Sequence, residues 1–223
     1  RGIGLDNAMA IFADLKKDRS VGYRRTIIRH VFSLTDRPEE HSRLAGAIVM
    51  WRQYLGSPTT ISGYLKIFEP YLREDVVAFM REHEAILQAE VEKRFQNDSR
   101  MHFFSAGTLI ETYLARISYE HDPQEIPQFC WLRIAVGEFQ SRGLPEVLRI
   151  YRRFSDRECV PASPTIFNMG FKEGASSSCM IYAVGDSLKD ILSVMKEGGM
   201  ASKNNAGLGI DLSGLRHSNI GRH

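Results

Sequence analysis

The residues of this chain whose types and spacing could do chemistry are concentrated between positions 161 and 216. At their centre is Ser176-Ser177-Ser178-Cys179, three hydroxyls ahead of a thiol. A thiol can release a proton and share its electrons in a disulfide, and a serine hydroxyl can both donate and accept a hydrogen bond. Upstream stands Pro161-Ala162-Ser163-Pro164-Thr165-Ile166-Phe167-Asn168-Met169-Gly170. Downstream come Gly185-Asp186-Ser187-Leu188 and Lys203-Asn204-Asn205-Ala206-Gly207-Leu208-Gly209. Taken one at a time, each piece has an ordinary reading. Ser163-Pro164-Thr165 alone is more often a turn, and a cysteine that opens an apolar strand is usually buried and inert. Gly207-Leu208-Gly209 lacks the third glycine of a dinucleotide loop, because position 212 is leucine, and alone it is more often a tight strand entry.

These residues need elements to hold them. From about residue 156 the chain becomes rich in Ser, Gly and Asn, with short apolar runs between. Cys179-Met180-Ile181-Tyr182-Ala183-Val184 reads as a buried strand, and Gly207-Leu208-Gly209-Ile210-Asp211-Leu212 as a second. Between them, Ser187-Leu188-Lys189-Asp190 is a capping-box helix start. Leu188, Ile191, Leu192 and Met195 then form an apolar stripe, read by default as core, and Gly198-Gly199 weakens the helix end. Strand, capped helix, glycine-containing turn and strand make a βαβ-like unit, as at the start of an α/β barrel or sheet.

Residues 1 to about 155 read as mainly helical. Over 73–96, Val76, Phe79, Met80, His83, Ile86, Leu87 and Val91 recur at three and four residues, as one buried helix face requires. Glu82, Glu90, Glu92, Lys93 and Arg94 lie opposite, with Glu90 and Arg94 in favourable i, i+4 order. His83 on the apolar side is expected in the core or at its boundary. A further helix is predicted near 145–155, with Pro145 in its first turn and a stripe of Val147, Leu148, Tyr151 and Phe154. Ser57-Pro58 and Asp122-Pro123 interrupt the helical pattern. The expected class is α+β: a mainly helical domain over 1–155, then the first strand-helix-strand elements over 156–223.

The whole chain narrows the function classes. With 223 residues, 43% of them hydrophobic and 25% charged, it has the composition of a globular protein of one large or two small domains. A formal charge of +2, with dispersed basic residues, gives no nucleic-acid footprint. No apolar run is long enough to cross a bilayer, and no secretory plan is present at the start. Cys130, Cys159 and Cys179, an odd number without zinc-knuckle spacing, favour a reducing cytoplasm over a disulfide scaffold. The seven histidines show no ligand spacing, so no metal site is expected from this chain alone. An opening on Arg1 and a loop-like Ser218-Asn219-Ile220-Gly221-Arg222-His223 are how a piece of a longer polypeptide would read.

In order, spacing and type, the motifs over 161–216 resemble the nucleotide-handling region of the ribonucleotide reductase large subunit. The likeness continues more weakly back to about Tyr64, through Phe103-Phe104-Ser105-Ala106-Gly107-Thr108-Leu109-Ile110-Glu111-Thr112-Tyr113-Leu114, Ile126-Pro127-Gln128 and Arg133-Ile134-Ala135-Val136-Gly137. It is closest to the class that takes its radical from the metal centre of a small partner subunit. The resemblance implies a ribonucleoside diphosphate substrate, a dNTP or ATP effector with Mg2+, and a homodimer, with no cofactor held by this chain alone. Cys179 matches the redox cysteine that delivers reducing hydrogen to the 2′ carbon and then forms a disulfide with a second cysteine on a later strand. Ser163, Ser178 and Gly207 match substrate-contacting positions. Asp186, Ser187 and Leu188 match the start of the effector helix, with Asp186 on the sugar-hydroxyl or metal side. Lys203 and Arg216 match basic positions near the effector phosphates. The family dimerises beside this site, which offers subunit contact as a second reading of the 188–195 stripe.

The resemblance also has departures. The family's radical-bearing cysteine, second redox cysteine and C-terminal cysteine pair would all lie past His223, and neither Cys130 nor Cys159 matches them. The 223 residues by themselves are therefore expected to be inactive. Lys16-Lys17-Asp18-Arg19 is too slight for the family's ATP cone, which reads as absent or reduced. His217-Ser218-Asn219-Ile220 replaces the small Gly/Ser run expected there, which suggests a divergent, viral-type member. The competing readings are a non-catalytic relative or fragment serving as an interaction module, and the cobalamin-dependent branch.

Overall fold

A computed structural model describes residues 38–118, 120–203 and 206–217. The 16–19 basic cluster, Asn204-Asn205 and the 218–223 tail lie outside the described residues. The helical body comprises α1 (Pro38–Gly56), α2 (Ile61–Phe68), α3 (Glu74–Glu82), α4 (Glu84–Glu92), α5 (Phe95–Asp98) and α6 (Phe103–Thr108). A π-helical turn (Leu109–Tyr113) follows, then α7 (Pro127–Phe139), a 3₁₀ turn (Gln140–Arg142), α8 (Leu144–Ser155) and α9 (Ser163–Asn168). None of the described helices is long and apolar enough to cross a membrane.

The centre of the body is α7. Pro127 sits in its first turn, and every residue from 127 to 137 is buried, the polar Gln128 and Arg133 included. A helix that is apolar nearly all round must be covered on all sides. The rings of Tyr64 and Phe129 meet at 4.9 Å, and Phe68 extends the cluster at 4.8 Å from Tyr64. The helix predicted near 145–155 is α8, and it buries Val147, Ile150 and Tyr151.

The single helix expected over 73–96 is two helices, α3 and α4, broken at His83, where φ is −109° and ψ 17°. The stripe is locally right, because Val76, Met80, Leu87 and Val91 are all fully buried. Ile86 is exposed, and His83 is a boundary residue, part-buried with its ring on Phe79 at 4.5 Å. Periodicity reports which way each residue faces its own helix; it does not report that the axis bends. Glu90, expected on the solvent face, is buried. Arg152, and with it Arg94, holds its carboxyl down at about 2. The expected Glu90–Arg94 pair forms at 3.1 Å, but Glu90 also binds Arg152 at 2.8 Å, so the carboxylate ties α4 to α8.

One buried ion pair joins the body to the segment that follows it. Arg133 and Glu125 have no exposed side-chain surface and meet through Nε–Oε1 at 2.9 Å and Nη2–Oε2 at 3.1 Å. Glu125 also accepts from the Tyr64 hydroxyl (2.8 Å) and the Ala115 amide (3.0 Å). Arg133 donates onward to the carbonyls of Met169 (2.5 Å) and Ile166 (2.9 Å), and its guanidinium lies 4.3 Å from the centre of the Phe171 ring. The chain passes so close that a Cβ on Gly170 would sit 2.7 Å from Arg133 Cγ, and φ there is +89°, so glycine is required.

A second buried network surrounds Asp98, which accepts from Tyr54 (2.5 Å) and Gln128 (2.8 Å), while Tyr151 donates to Gln128 (2.5 Å). Burial pushes the Asp98 carboxyl up to about 7 despite those two donors.

After the body, β1 (Cys179–Ala183), α10 (Leu188–Lys203) and β2 (Gly207–Asp211) form the expected βαβ unit, its strands parallel with Cys179 opposite Gly207 and Ala183 opposite Asp211. The strands are not buried: Ile181 is 83% exposed, and Ile210 is exposed too. Among the described residues α10 packs on both strands of this sheet, and the face that carries Cys179, Ile181 and Ala183 is exposed. Gly198-Gly199, expected to weaken the helix end, lies inside the helix, which continues to Lys203 and buries Gly198 and Ala201. Of the predicted core stripe, Ile191 is half-buried, but Leu188 (71%), Leu192 and Met195 (66%) are exposed.

Two outcomes follow. Arg133→Met strands a buried Glu125 and should lower unfolding stability in urea by about 3–5 kcal/mol. Asp98 binds its proton more tightly folded than unfolded, so its contribution is fully present below about pH 4 and is lost as pH rises through about 7. Stability measured from pH 4 to pH 8 should therefore fall more steeply in the wild type than in Asp98→Asn, by at most on the order of 4 kcal/mol.

Candidate functional site

The site is built from α9, the serine run and the open ends of the sheet. Ser163-Pro164-Thr165 is not a turn but the first turn of α9, with Pro164 in the position that proline favours at a helix start. Side chains of α9 hold the segment ahead of the cysteine: Thr165 Oγ1 donates to the Ser176 carbonyl at 3.0 Å and Asn168 Nδ2 to the Ala175 carbonyl at 2.6 Å. An open depression of ≈ 400 Å³ adjoins this contact, lined by Ile134, Phe139, Phe154, Thr165, Met169 and Ser176 among others. Neither Cys179 nor Gly207 lines it.

Ser178, Cys179 and Gly207 come together at the N-terminal ends of the two strands. The Gly207 amide donates to the Ser178 carbonyl at 2.7 Å, and a Cβ at 207 would lie 3.4 Å from Cys179 Sγ. Any side chain at 207 would therefore stand against the thiol. Cys179 is exposed, against the expectation for a strand-opening cysteine, because nothing described packs on that face of β1. Cys130 is buried, and burial pushes its thiol well up. Cys159 is exposed.

Asp186, Ser187, Leu188 and Arg216 gather at the opposite ends of the strands. Ser187 Oγ accepts the Asp190 amide at 3.1 Å, the cap expected from the sequence, and donates to Asp190 Oδ2 at 2.6 Å. The acidic side chain thus braces the cap rather than reaching back to the Ser187 amide. Asp186 pairs with Arg216, Oδ2 to Nε at 3.1 Å, and accepts the Arg216 amide at 3.3 Å, although 30 residues separate them. Lys203 is not with this group. It ends α10, about 22 Å along the axis from Leu188, beside the Cys179 end of the sheet.

Sequence reasoning missed two contacts. Pro164 was the available signal for a helix start, but nothing local signalled that Thr165 binds Ser176. Tyr113, whose hydroxyl meets Ser163 Oγ at 3.1 Å, lies 50 residues away and carries no local pattern.

Two domain descriptions of one family match almost end to end: ribonucleotide reductase, all-alpha domain, over residues 100–174, and ribonucleotide reductase, barrel domain, over 177–220. The chain belongs to the ribonucleotide reductase large-subunit family. It is 29% identical over 148 residues to the ribonucleoside-diphosphate reductase large subunit of Acanthamoeba polyphaga mimivirus, covering 66% of this chain and 16% of that protein. It is 30% identical to large chain 2 of the Saccharomyces cerevisiae enzyme, with 66% and 16% covered. With the large subunit of African swine fever virus (strain Badajoz 1971 Vero-adapted) it shares 24% over 200 residues, covering 86% and 25%. The chain spans between about a sixth and a quarter of the length of these relatives.

Removing the α10 cap with Ser187→Ala should cost about 1 kcal/mol. Hydrogen exchange should show it as faster amide exchange confined to the first turn of α10.

Proposed function

We propose that this chain is the part of a ribonucleoside-diphosphate reductase large subunit that supplies one wall of the substrate pocket and the start of the effector site. The observation that carries the reading is the meeting of Ser178, an exposed Cys179 and a side-chain-free Gly207 at one end of the sheet, in the family's order. On this reading residues 1–155 are the helical domain and 156–223 begin the barrel, in a cytoplasmic enzyme that makes DNA precursors.

In the complete enzyme, Ser163, Ser178 and the backbone at Gly207 hold a ribonucleoside diphosphate, and Cys179 acts with a second cysteine outside these residues. The two thiols give up two electrons and two protons and become a disulfide, and the ribose loses its 2′-hydroxyl as water. The radical that starts the reaction comes from the metal centre of a small subunit. Cys130 is unsuited to be the second thiol, because it is buried under Arg133.

The other end of the sheet would take a deoxynucleotide or ATP effector. Asp186 and the capped start at Ser187 and Leu188 face the sugar and Arg216 pairs with phosphate, whereas Lys203, at the far end of α10, is too distant to share this site. On this reading the Mg2+ arrives on the nucleotide's phosphates. The exposed Leu188, Leu192 and Met195 support a second copy of the subunit as the partner of α10. In the full-length subunit, Cys179→Ser should abolish multiple-turnover reduction while effector binding stays near wild type. Retained turnover in that variant would remove Cys179 from the chemistry.

A further inference from the structure

We propose that Tyr113 is a positioning residue: it fixes the direction in which Ser163 presents its hydroxyl proton to the substrate. This rests on the reading above that Ser163 faces a ribonucleotide.

Three observations place Tyr113 there. Its hydroxyl lies 3.1 Å from Ser163 Oγ. Its ring stacks on Phe167, with centroids 5.1 Å apart and planes 14° from parallel. Ser163 and Phe167 are i and i+4 on α9, so one side chain spans a full turn along one face of that helix. The third observation is the backbone that delivers it. Leu109–Tyr113 is a π-helical turn, closed by the Leu114 amide donating to the Leu109 carbonyl at 3.0 Å. Such turns are rare and insert one residue into a helix. Without that extra residue Tyr113 would be rotated by roughly 100° about the helix axis, away from α9. Leu109 and Ile110 are buried, which anchors the turn, whereas Ser163 and Phe167 stay open to solvent.

The donor arithmetic gives the contact a direction. A serine hydroxyl has one proton and two acceptor lone pairs, and a tyrosine hydroxyl has one proton. When Ser163 gives its proton to an acceptor oxygen on the substrate, its remaining capacity is to accept, and Tyr113 is placed to donate. The chain then runs Tyr113 to Ser163 to substrate, each bond polarising the next. Stacking on Phe167 holds the ring in that orientation whether or not the hydroxyl is present.

The test is a double-mutant cycle in the full-length large subunit with its small subunit, at saturating effector, reading KM and kcat for a ribonucleoside diphosphate. Tyr113→Phe keeps the stack and removes only the donor. It should raise KM about 3–10-fold, the size of one lost hydrogen bond, with kcat and the thermal midpoint little changed. In a Ser163→Ala background the same change should do nothing further. An unchanged KM in Tyr113→Phe, or a full additional effect on top of Ser163→Ala, overturns the positioning role while leaving the reductase reading intact. Absence of turnover in the wild-type complex overturns that reading, and the role of Tyr113 falls with it.

Discussion

A guanidinium with no exposed surface must have its charge balanced and its N–H groups occupied, or the fold around it is not viable. Arg133 meets that demand with a bidentate carboxylate from Glu125, and with two backbone carbonyls and an aromatic face from the 166–171 stretch. Glu125 reciprocates with Tyr64 and the Ala115 amide, which brings in α2 and the segment after the π-helical turn. The pair therefore does more than hold α7 in place. It makes the positions of Ile166 and Met169 conditions of a satisfied core, and these residues belong to α9 and its exit. An apolar pair of similar volume would fill the space, but it would not specify those carbonyls.

The candidate site inherits its geometry from that demand. α9 is counted with the second unit on composition, yet it is fastened to α7 of the first through Arg133. From α9, Thr165 and Asn168 fix the run that ends at Cys179. Buried charge, short helix, serine run and strand form one sequence of fixed steps. The parallel pairing of β1 and β2 then sets Gly207 against the thiol without any further device. The gradient is plain in the burial: the core of the body is closed, and the two strands that carry Cys179 and Gly207 are open.

How much of this was legible depended on the range of the interaction. The βαβ unit was readable because its signals are local: apolar runs at Cys179 and Gly207, and Ser187 three residues ahead of Asp190. The strand boundaries expected at Val184 and Leu212 fell one residue beyond the observed ends. The break at His83 was invisible because the same three- and four-residue spacing runs through both halves. Glu90 misled for a related reason: a carboxylate opposite an apolar stripe looks solvated until Arg152, 62 residues away, arrives beside it. The exposed stripe on α10 misled in the other direction, since an amphipathic pattern records that a face is apolar and says nothing of what covers it. The helix at Ser163 had a usable cue in Pro164. The Arg133–Glu125 pair had none, although eight residues separate its members, because burial is a property of the whole fold.

The pairing of Asp186 with Arg216 has a consequence for any ligand that comes to that end of the sheet. Both groups are already satisfied by each other, so an arriving anion does not find a vacant cation; it exchanges for a carboxylate. The exchange is cheap, because an exposed pair of this kind contributes about 0–1 kcal/mol, less than a tenfold change in affinity. It also changes where charge resides: once Arg216 turns to the newcomer, Asp186 is left as an uncompensated negative charge beside it. That charge repels a bare anion and welcomes one that carries its own hydroxyls or its own cation. An exposed pair can thus bias which anions settle there, by less than tenfold, through what is uncovered when it opens.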